Sequence, residues 1–401
     1  MTTTPSPGSA TGAKAGSIVL ALNSGSSSLK FGLYRVDAVG SAILVNGEAE
    51  AIGEAGGGFH VEDACGARLV GEAGVFHGQR EAVAHIGAFL AEADMPAPAV
   101  IGHRIVHGGP RLRQHRLIDE EVLSQLKAAV AFAPAHMPPA LSVIEFAREH
   151  FPGVPQVACF DTAFHAQMPP VASVLPLPKA LRDEGIERYG FHGLSCESIL
   201  RQLGGELPGR LIIAHLGNGA SVTAVKFGKS IDTSMGLTPS GGVIMGSRTG
   251  DLDPGVLVYL LREKGFDGAM LEDLVDHRSG LLGISGIDGD MRRLKAEPSN
   301  ADAQLAIDMF RYSVRKEVAA MIAALGGIDL IVFTGGIGEN DPQTRASVCA
   351  GLDWIGVSLD EGRNLSATNP LNDQGSRCTV QVLPSREDEQ IARHAWALAP
   401  I

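Results

Sequence analysis

Asn23-Ser24-Gly25-Ser26-Ser27-Ser28-Leu29-Lys30 is a stretch that could meet an anion. Gly25 lets the backbone turn and approach a ligand with no Cβ in the way. The serines offer hydroxyl and backbone N–H donors, and Lys30 adds a positive charge. Such a loop suits a phosphate; taken alone, an ordinary Ser/Gly hairpin explains it equally well. Two arginines stand in similar settings, Arg104 in Gly-His-Arg-Ile-Val-His-Gly-Gly and Arg248 in Met-Gly-Ser-Arg-Thr-Gly-Asp-Leu-Asp-Pro. Small residues flank both, and a planar guanidinium matches a carboxylate or phosphoryl group better than an ammonium does. A structural salt bridge to a nearby Asp is an equal explanation for either one. Asp161, before Thr-Ala-Phe-His, could orient a substrate or hold magnesium, or cap a helix. Glu387 opens a helix, where the dipole favours an acid in any case. His192, between Phe191 and Gly193, reads as a packing histidine when taken singly, as do His136 and His215. His103 and His107 are four apart in a strand-like stretch, share no helix face and make no zinc pair. There is no G-x-x-x-x-G-K-[ST] P-loop and no protein-kinase signature set.

The elements that would carry these residues are legible in the hydrophobic pattern. An apolar run at 18–22 stops at the serine loop and returns at Phe31, Leu33 and Val36, which predicts a strand, turn and strand. Further strands are expected at 43–45, 49–52, 67–70, 154–160 and 99–109, the last ending in glycines, with a turn at Gly56-Gly57-Gly58. Helical spacing covers 79–92. Asp119 caps a helix through Val130, and Pro139 opens another through His150 after a stiff loop. At 211–222 the opening pattern recurs, an apolar strand into Gly-Asn-Gly-Ala-Ser and back, which suggests two related α/β domains facing one cleft. Asp253-Pro254 starts a helix. Ser299 and Asp302 have capping-box spacing at the head of a longer one, striped by Phe310, Val314, Val318, Met321 and Leu325 and stopped by Gly326-Gly327. A strand at 328–333 runs into a glycine-rich turn at 335–340, and a last helix covers about 388–398.

The chain has 401 residues, room for two domains with their own cores. Its net charge of −12 argues against nucleic acid as the main partner. No apolar run approaches a membrane span of roughly 20 residues. The first residues lack the order of a secretory signal. The five cysteines show no paired spacing, as expected of reduced thiols in a cytoplasmic protein. Residues 1–16 read as a disordered tail.

Seven motifs then occur in one order: Asn-Ser-Gly-Ser-Ser-Ser-Leu-Lys, Gly-His-Arg-Ile-Val-His-Gly-Gly, Phe-Asp-Thr-Ala-Phe-His, Arg-Tyr-Gly-Phe-His-Gly, His-Leu-Gly-Asn-Gly, Met-Gly-Ser-Arg-Thr-Gly-Asp-Leu-Asp-Pro and Thr-Gly-Gly-Ile-Gly-Glu-Asn. Together they resemble the acetate kinase family, within the acetate and sugar kinase, heat-shock 70 and actin superfamily, over nearly the whole chain from Ser17. The resemblance implies an α/β protein of two duplicated actin-like (ribonuclease H-like) domains, 17–161 with 387–401 and 162–386, around a catalytic cleft, usually in a homodimer. It implies reversible phosphoryl transfer from ATP to acetate, giving acetyl phosphate and ADP, with Mg²⁺ or, in its place, Mn²⁺.

Carried over by motif, the resemblance gives Asn23 and Glu387 to the metal. It gives Ser26, Ser28 and Lys30 to the phosphate path, and Arg104 to the substrate carboxylate or phosphoryl group. Asp161 becomes the acid/base or orienting carboxylate, and His192 and Arg248 stabilise the transition state. His215, Leu216, Gly217, Asn218 and Gly219, with Asp290, Met291, Arg292 and Gly336, Ile337, Gly338, Glu339, Asn340, bind the nucleotide; His136 is a further phosphoryl contact. Val106, Ala135, Phe191 and Pro239 match the apolar wall around the acetate methyl.

Three segments depart from the family pattern: Phe191-His192-Gly193-Leu194-Ser195-Cys196 lacks the second histidine, Pro239-Ser240-Gly241-Gly242 replaces Pro-Leu-Glu-Gly, and Pro384-Ser385-Arg386-Glu387-Asp388 replaces Pro-Thr-Asn-Glu-Glu. Ala135 stands where leucine is usual, which leads to the expectation of a roomier pocket that accepts propionate. The competing readings are a propionate or short-chain acyl kinase and a non-catalytic nucleotide-binding sensor of the same superfamily.

Overall fold

Two β-hairpins carry the architecture. In the computed structural model, which describes residues 16–25, 28–53 and 56–401, β1 (Ser17–Ser24) is buried from Val19 onward and returns antiparallel as β2 (Leu29–Val36), with Asn23 opposite Lys30. β3 (Ser41–Glu50), β4 (Gly58–Asp63) and β5 (Arg68–Ala73) extend the meander. On the other side of β1 lie β6 (Val100–Ile105), β8 (Gln156–Phe160) and the short β7 (Arg116–Leu117), giving the order β5-β4-β3-β2-β1-β6-β8-β7. The second hairpin is β9 (Arg210–Leu216) with β10 (Ala220–Lys226), and β11 (Lys229–Thr233), β12 (Leu330–Thr334) and β13 (Thr379–Val382) complete the order β11-β10-β9-β12-β13.

The repeat seen in the two motifs extends to five strands. β3-β2-β1-β6-β8 and β11-β10-β9-β12-β13 run through the same senses: two antiparallel pairings, then two parallel ones. In each sheet the polar turn of the hairpin stands at the end of the central strand, where open α/β sheets hold ligands.

Helices cover the sheets. Here α1 is Gln79–Glu92, α2 Glu120–Ala128, α3 Met137–His150, α4 Gly193–Leu203, α5 Pro254–Glu263, α6 Gly268–His277, α7 Met291–Lys295, α8 Ala301–Leu325, α9 Gly335–Asn340 and α10 Glu387–Leu398. α8 buries the expected stripe against β9, β10 and β11 and stops at Gly326 with φ 72°. α10 returns the end of the chain to the first sheet, where Ile391, Ala392 and Ala395 pack with Val19, Ala21, Val100 and Val157. Gly102 of β6 permits that approach: a Cβ there would stand 2.6 Å from Ile391.

Several boundaries differ from the sequence expectation. The strands expected at 43–45 and 49–52 are one strand, β3, that ends at Glu50, and the short β4, which buries Phe59 and Val61, is a further strand outside the expected set. α3 begins at Met137, so Pro138 and Pro139 lie in its first turn, where amides have no intrahelical acceptor to lose. Asn300, not Ser299, caps α8, accepting from the Ala303 N–H. Residues 335–340 form a short helix rather than a turn. The expected tail, apart from Gly16, and Ser26 lie outside the described residues.

Candidate active site

The ends of β1, β6, β8, β9 and β12 supply the walls of two adjoining cavities. The larger, about 730 Å³, is lined by Asn23, Lys30 and Arg104 from one sheet, by His215, Gly217, Gly335, Gly336 and Glu339 from the other, and by Glu387 and Asp388 of α10. The smaller, about 290 Å³, is lined by Gly25, Ser28, Val106, His136, Asp161, Phe191, Pro239 and Arg248. Arg104, His192, Asn218 and Gly219 line both. A Cβ on Gly219 would lie 3.3 Å from His192 Nε2 and 3.5 Å from Arg248 Nη1, so this glycine leaves space where two donors converge.

The two arginines answer the salt-bridge alternative differently. Arg104 is paired: Nε and Nη2 donate to Asp161 Oδ2 at 3.0 and 2.7 Å, and Nη1 donates to Asn23 Oδ1 at 3.2 Å. Burial opposes its charge, but Asp161 and Glu387 outweigh burial and raise its pKa. Arg248 meets neutral groups among the described residues: Nη1 donates to the Pro239 carbonyl at 3.2 Å and lies near the Met245 sulfur, and Nη2 reaches His136 Nε2 at 3.1 Å. Burial lowers its pKa against the pull of Asp276. A buried cation without a carboxylate beside it is a site for an anion.

The histidines around it are neutral. Burial, then Arg248 and Arg104, push His136 down to about 3. Burial, then His215 and the two arginines, push His192 well below the usual imidazole range. His192 precedes α4 with a left-handed φ of 58°, an uncommon conformation for a residue with a side chain, and it directs the ring into the cavity. Its Nδ1 lies 2.9 Å from the Ser221 hydroxyl; with that hydroxyl donating, the ring proton sits on Nε2 and faces the shared space. The His192 and His215 rings stack 4.2 Å apart, and His215 Nδ1 meets Ser195 Oγ at 2.9 Å. Ser195, Ser221 and Asp388 were not singled out in the sequence. Ser195 and Asp388 lie inside quoted motifs, and Ser221 closes the Gly-Asn-Gly-Ala-Ser turn, but no sequence signal pairs it with His192.

The acids divide into two groups. Burial pushes Asp161 up to about 6 against the attraction of Arg104. Its Oδ1 is buried with no hydrogen-bond partner among the described residues. Burial opposes the charge of Glu387, but Arg104, His215, Lys30 and Asn23 outweigh it and hold the carboxyl below its ordinary value. Asp388, which accepts from Asn23 Nδ2 at 2.8 Å, is raised by burial. Carboxylate and amide oxygens with one orphaned acceptor form a hard-oxygen donor set that suits a small divalent cation. A second cluster, His115, Glu197 and His394, brings possible ligand atoms within 4.8 Å of one another. The Phe160 N–H donates to His115 Nδ1 at 3.0 Å, which leaves the proton on Nε2, toward Glu197. With that proton His115 donates to Glu197 instead of offering Nε2 to a metal; against burial, the hydrogen bonds from His115 and His394 hold Glu197 down to about 2.

Eight expected site residues line neither cavity. Ala135 is one of them. Leu216 and Met291 are buried in the core, and Ile337 packs against it. Asp290 caps α7 and pairs with the exposed Arg292. The Gly338 carbonyl accepts from Arg345, and the Asn340 amide bonds Gly336 within α9. Cys196, in place of the family histidine, is fully buried beside Ile199 and Leu211, and burial pushes its thiol up to about 12.

Against known proteins, residues 18–393 match the model of the acetokinase family. The chain is 43% identical to the acetate kinase of Methylocella silvestris, over 95% of this chain and 97% of that one. Among solved structures it resembles an acetate kinase from Porphyromonas gingivalis, at TM-score 0.84 and 34% identity over 95% of this chain and 99% of that one. It also resembles a propionate kinase from Francisella tularensis, at TM-score 0.88 and 35% identity over 96% and 100%.

Proposed function

The chain belongs to the acetokinase family, and from that premise we infer how its two joined cavities transfer a phosphoryl group. It is a kinase of the actin-like α/β fold that phosphorylates acetate with ATP, with ADP as the other product and a divalent metal as cofactor. The observation that carries the residue-level reading is the sharing of Arg104, His192, Asn218 and Gly219 by a large polar cavity and a small one.

The larger cavity takes the nucleotide between Gly217–Gly219, Gly336 and Glu339, with Lys30 and Ser28 beside the phosphate path. The smaller takes acetate, its methyl against Val106, Phe191 and Pro239. The acetate oxygen attacks the γ-phosphorus in line, the bond to the β-phosphate oxygen breaks, and ADP leaves. A carboxylate is already a nucleophile, so no strong base is needed; the work is positioning and neutralising charge on the equatorial oxygens. Arg104, Arg248 and the His192 Nε2–H are the donors for that charge, and His136 Nε2, which accepts from Arg248 Nη2, steadies that guanidinium beside the phosphoryl path. Asp161 orients Arg104 and keeps Oδ1 free for the metal shell. Mg²⁺ is the metal of this reading; Asn23, Glu387 and Asp388 would hold it, and it would supply charge neutralisation at the phosphates.

Residues 17–161 with 387–401 form one domain of this reading and 162–386 the other. The protein works as a homodimer in the cytoplasm. α5 and α6 bury no residue of their own, and Val258, Tyr259, Leu261 and Met270 are exposed, a face that a second copy would cover. Among the described residues no helix is long and apolar enough to cross a membrane. The test is acetyl hydroxamate formation from ATP, Mg²⁺, acetate and hydroxylamine. Wild type forms the product, and Arg248→Ala loses about 10³-fold in turnover while still binding ADP. ADP binding with no hydroxamate from wild type would make the chain a sensor instead.

A further inference from the structure

His107 is fully buried one residue beyond Val106 of the acetate wall and three beyond Arg104. Its ring lies among Phe132, Tyr189 and Phe191, with centroids 5.2, 4.4 and 5.5 Å away. Both ring nitrogens are engaged. The Gly109 N–H donates to Nδ1 at 2.8 Å, and Nε2 lies 3.1 Å from the Leu237 carbonyl oxygen. A backbone N–H can only donate and a carbonyl can only accept, so the proton sits on Nε2 and the tautomer is fixed. The two partners belong to different halves of the chain. Leu237 is two residues before Pro239, which lines the smaller cavity and whose carbonyl accepts from Arg248 Nη1 at 3.2 Å.

We propose that His107 is a positioning residue that sets the span between Arg104 and Arg248, by tying the end of β6 to the 237–239 segment that holds the second guanidinium. The ring touches no reacting atom. Its Nε2–H bond to Leu237 is the crossing link, and its Nδ1 bond to Gly109 keeps the ring turned for it. Phosphoryl transfer is sensitive to such spacing, because a misplacement of about 1 Å can cost about 10²-fold in rate. This inference rests on the roles given to the two arginines.

The experiment compares His107→Gln with His107→Asn in the hydroxamate assay, alongside ADP affinity and Tm. Glutamine reaches far enough to donate to the Leu237 carbonyl but does not replace Nδ1. Asparagine can accept from the Gly109 N–H but is too short for Leu237. His107→Asn is expected to lose about 30-fold or more in kcat/KM for acetate, with ADP affinity within about twofold of wild type; His107→Gln is expected within about fivefold of wild type. Equal losses in both variants, a loss of ADP affinity as large as that for acetate, or wild-type kinetics in both would overturn the proposal. If either variant fails to fold, His107→Phe keeps the ring stack and drops both bonds, and it must show the asparagine pattern or the proposal fails. A wild-type protein that made no hydroxamate would instead refute the underlying reading of the site.

Discussion

Arg104 Nε and Nη2 both donate to a single oxygen of Asp161, at 3.0 and 2.7 Å, and the other oxygen, Oδ1, stays buried without a partner among the described residues. The pair fixes the guanidinium at the junction of the two cavities and leaves one acceptor in reserve. Burial raises Asp161 to about 6 even beside that cation. The charge that holds Arg104 is therefore half lost at about pH 6, nearly complete about a unit above it and nearly gone about a unit below.

Asp161→Asn removes that charge at every pH. It is expected to lower kcat by about 10²-fold and to abolish an acid limb near pH 6 in kcat/KM for acetate. A pH–rate profile from 5 to 8 checks this; an acid limb near pH 6 retained in the variant would assign the titration elsewhere.

Substrate size should be set by the residues that line the smaller cavity. Val106→Ala is expected to raise propionate relative to acetate in kcat/KM by about tenfold, in line with about 1–3 kcal/mol per methylene. Ala135→Leu, at a residue lining neither cavity, should leave the ratio within about twofold. Paired specificity constants for the two acids decide between the sites, and a large shift in the Ala135 variant alone would reverse the assignment.

What could be read from the chain follows from how local each signal is. The two hairpins, α1, the stripe of α8 and the cap at Asp253 are written in short-range periodicity and turn chemistry, and they stand where expected. Arg104, His192, Asn218 and Gly219 were found through motifs and do meet. Ala135 lines neither cavity, because a motif gives a residue's order and not the direction of its side chain. The hydroxyl behind His192 comes from Ser221, 29 residues away across a sheet, a partner that no local pattern encodes. β4 alternates Phe59 and Val61 with His60 and Glu62, but two apolar residues directly after Gly56-Gly57-Gly58 make too short a pattern to stand out from the turn.

Buried neutral histidines make the fold acid-sensitive. His103, His107 and His165 are held at about 4 by burial, below the ordinary 6.5. Their folded pKa is depressed, so between 4 and 6.5 the unfolded chain binds more protons. Their stabilising contribution is complete above 6.5 and is lost as pH falls toward 4, at about 3 kcal/mol each as an order of magnitude. Calorimetry from pH 8 to 4 should show Tm flat at first and then falling steeply below 6.5; His103→Gln should flatten the fall. A Tm independent of pH across that window would contradict the assignment.

The exposed face of α5 and α6 should hold two copies together. Tyr259→Glu, at a residue 51% exposed, is expected to shift the mass in light scattering from dimer to monomer. An unchanged dimer would put the interface on another surface.

The most direct test is a crystal structure with ADP, Mg²⁺, acetate and an aluminium fluoride mimic of the transferring group. The account predicts the mimic between the cavities, within hydrogen-bonding distance of both guanidinium groups and His192 Nε2, with the acetate methyl against Val106, Phe191 and Pro239. A mimic bound with either guanidinium turned away from it, or with acetate outside the smaller cavity, would contradict it.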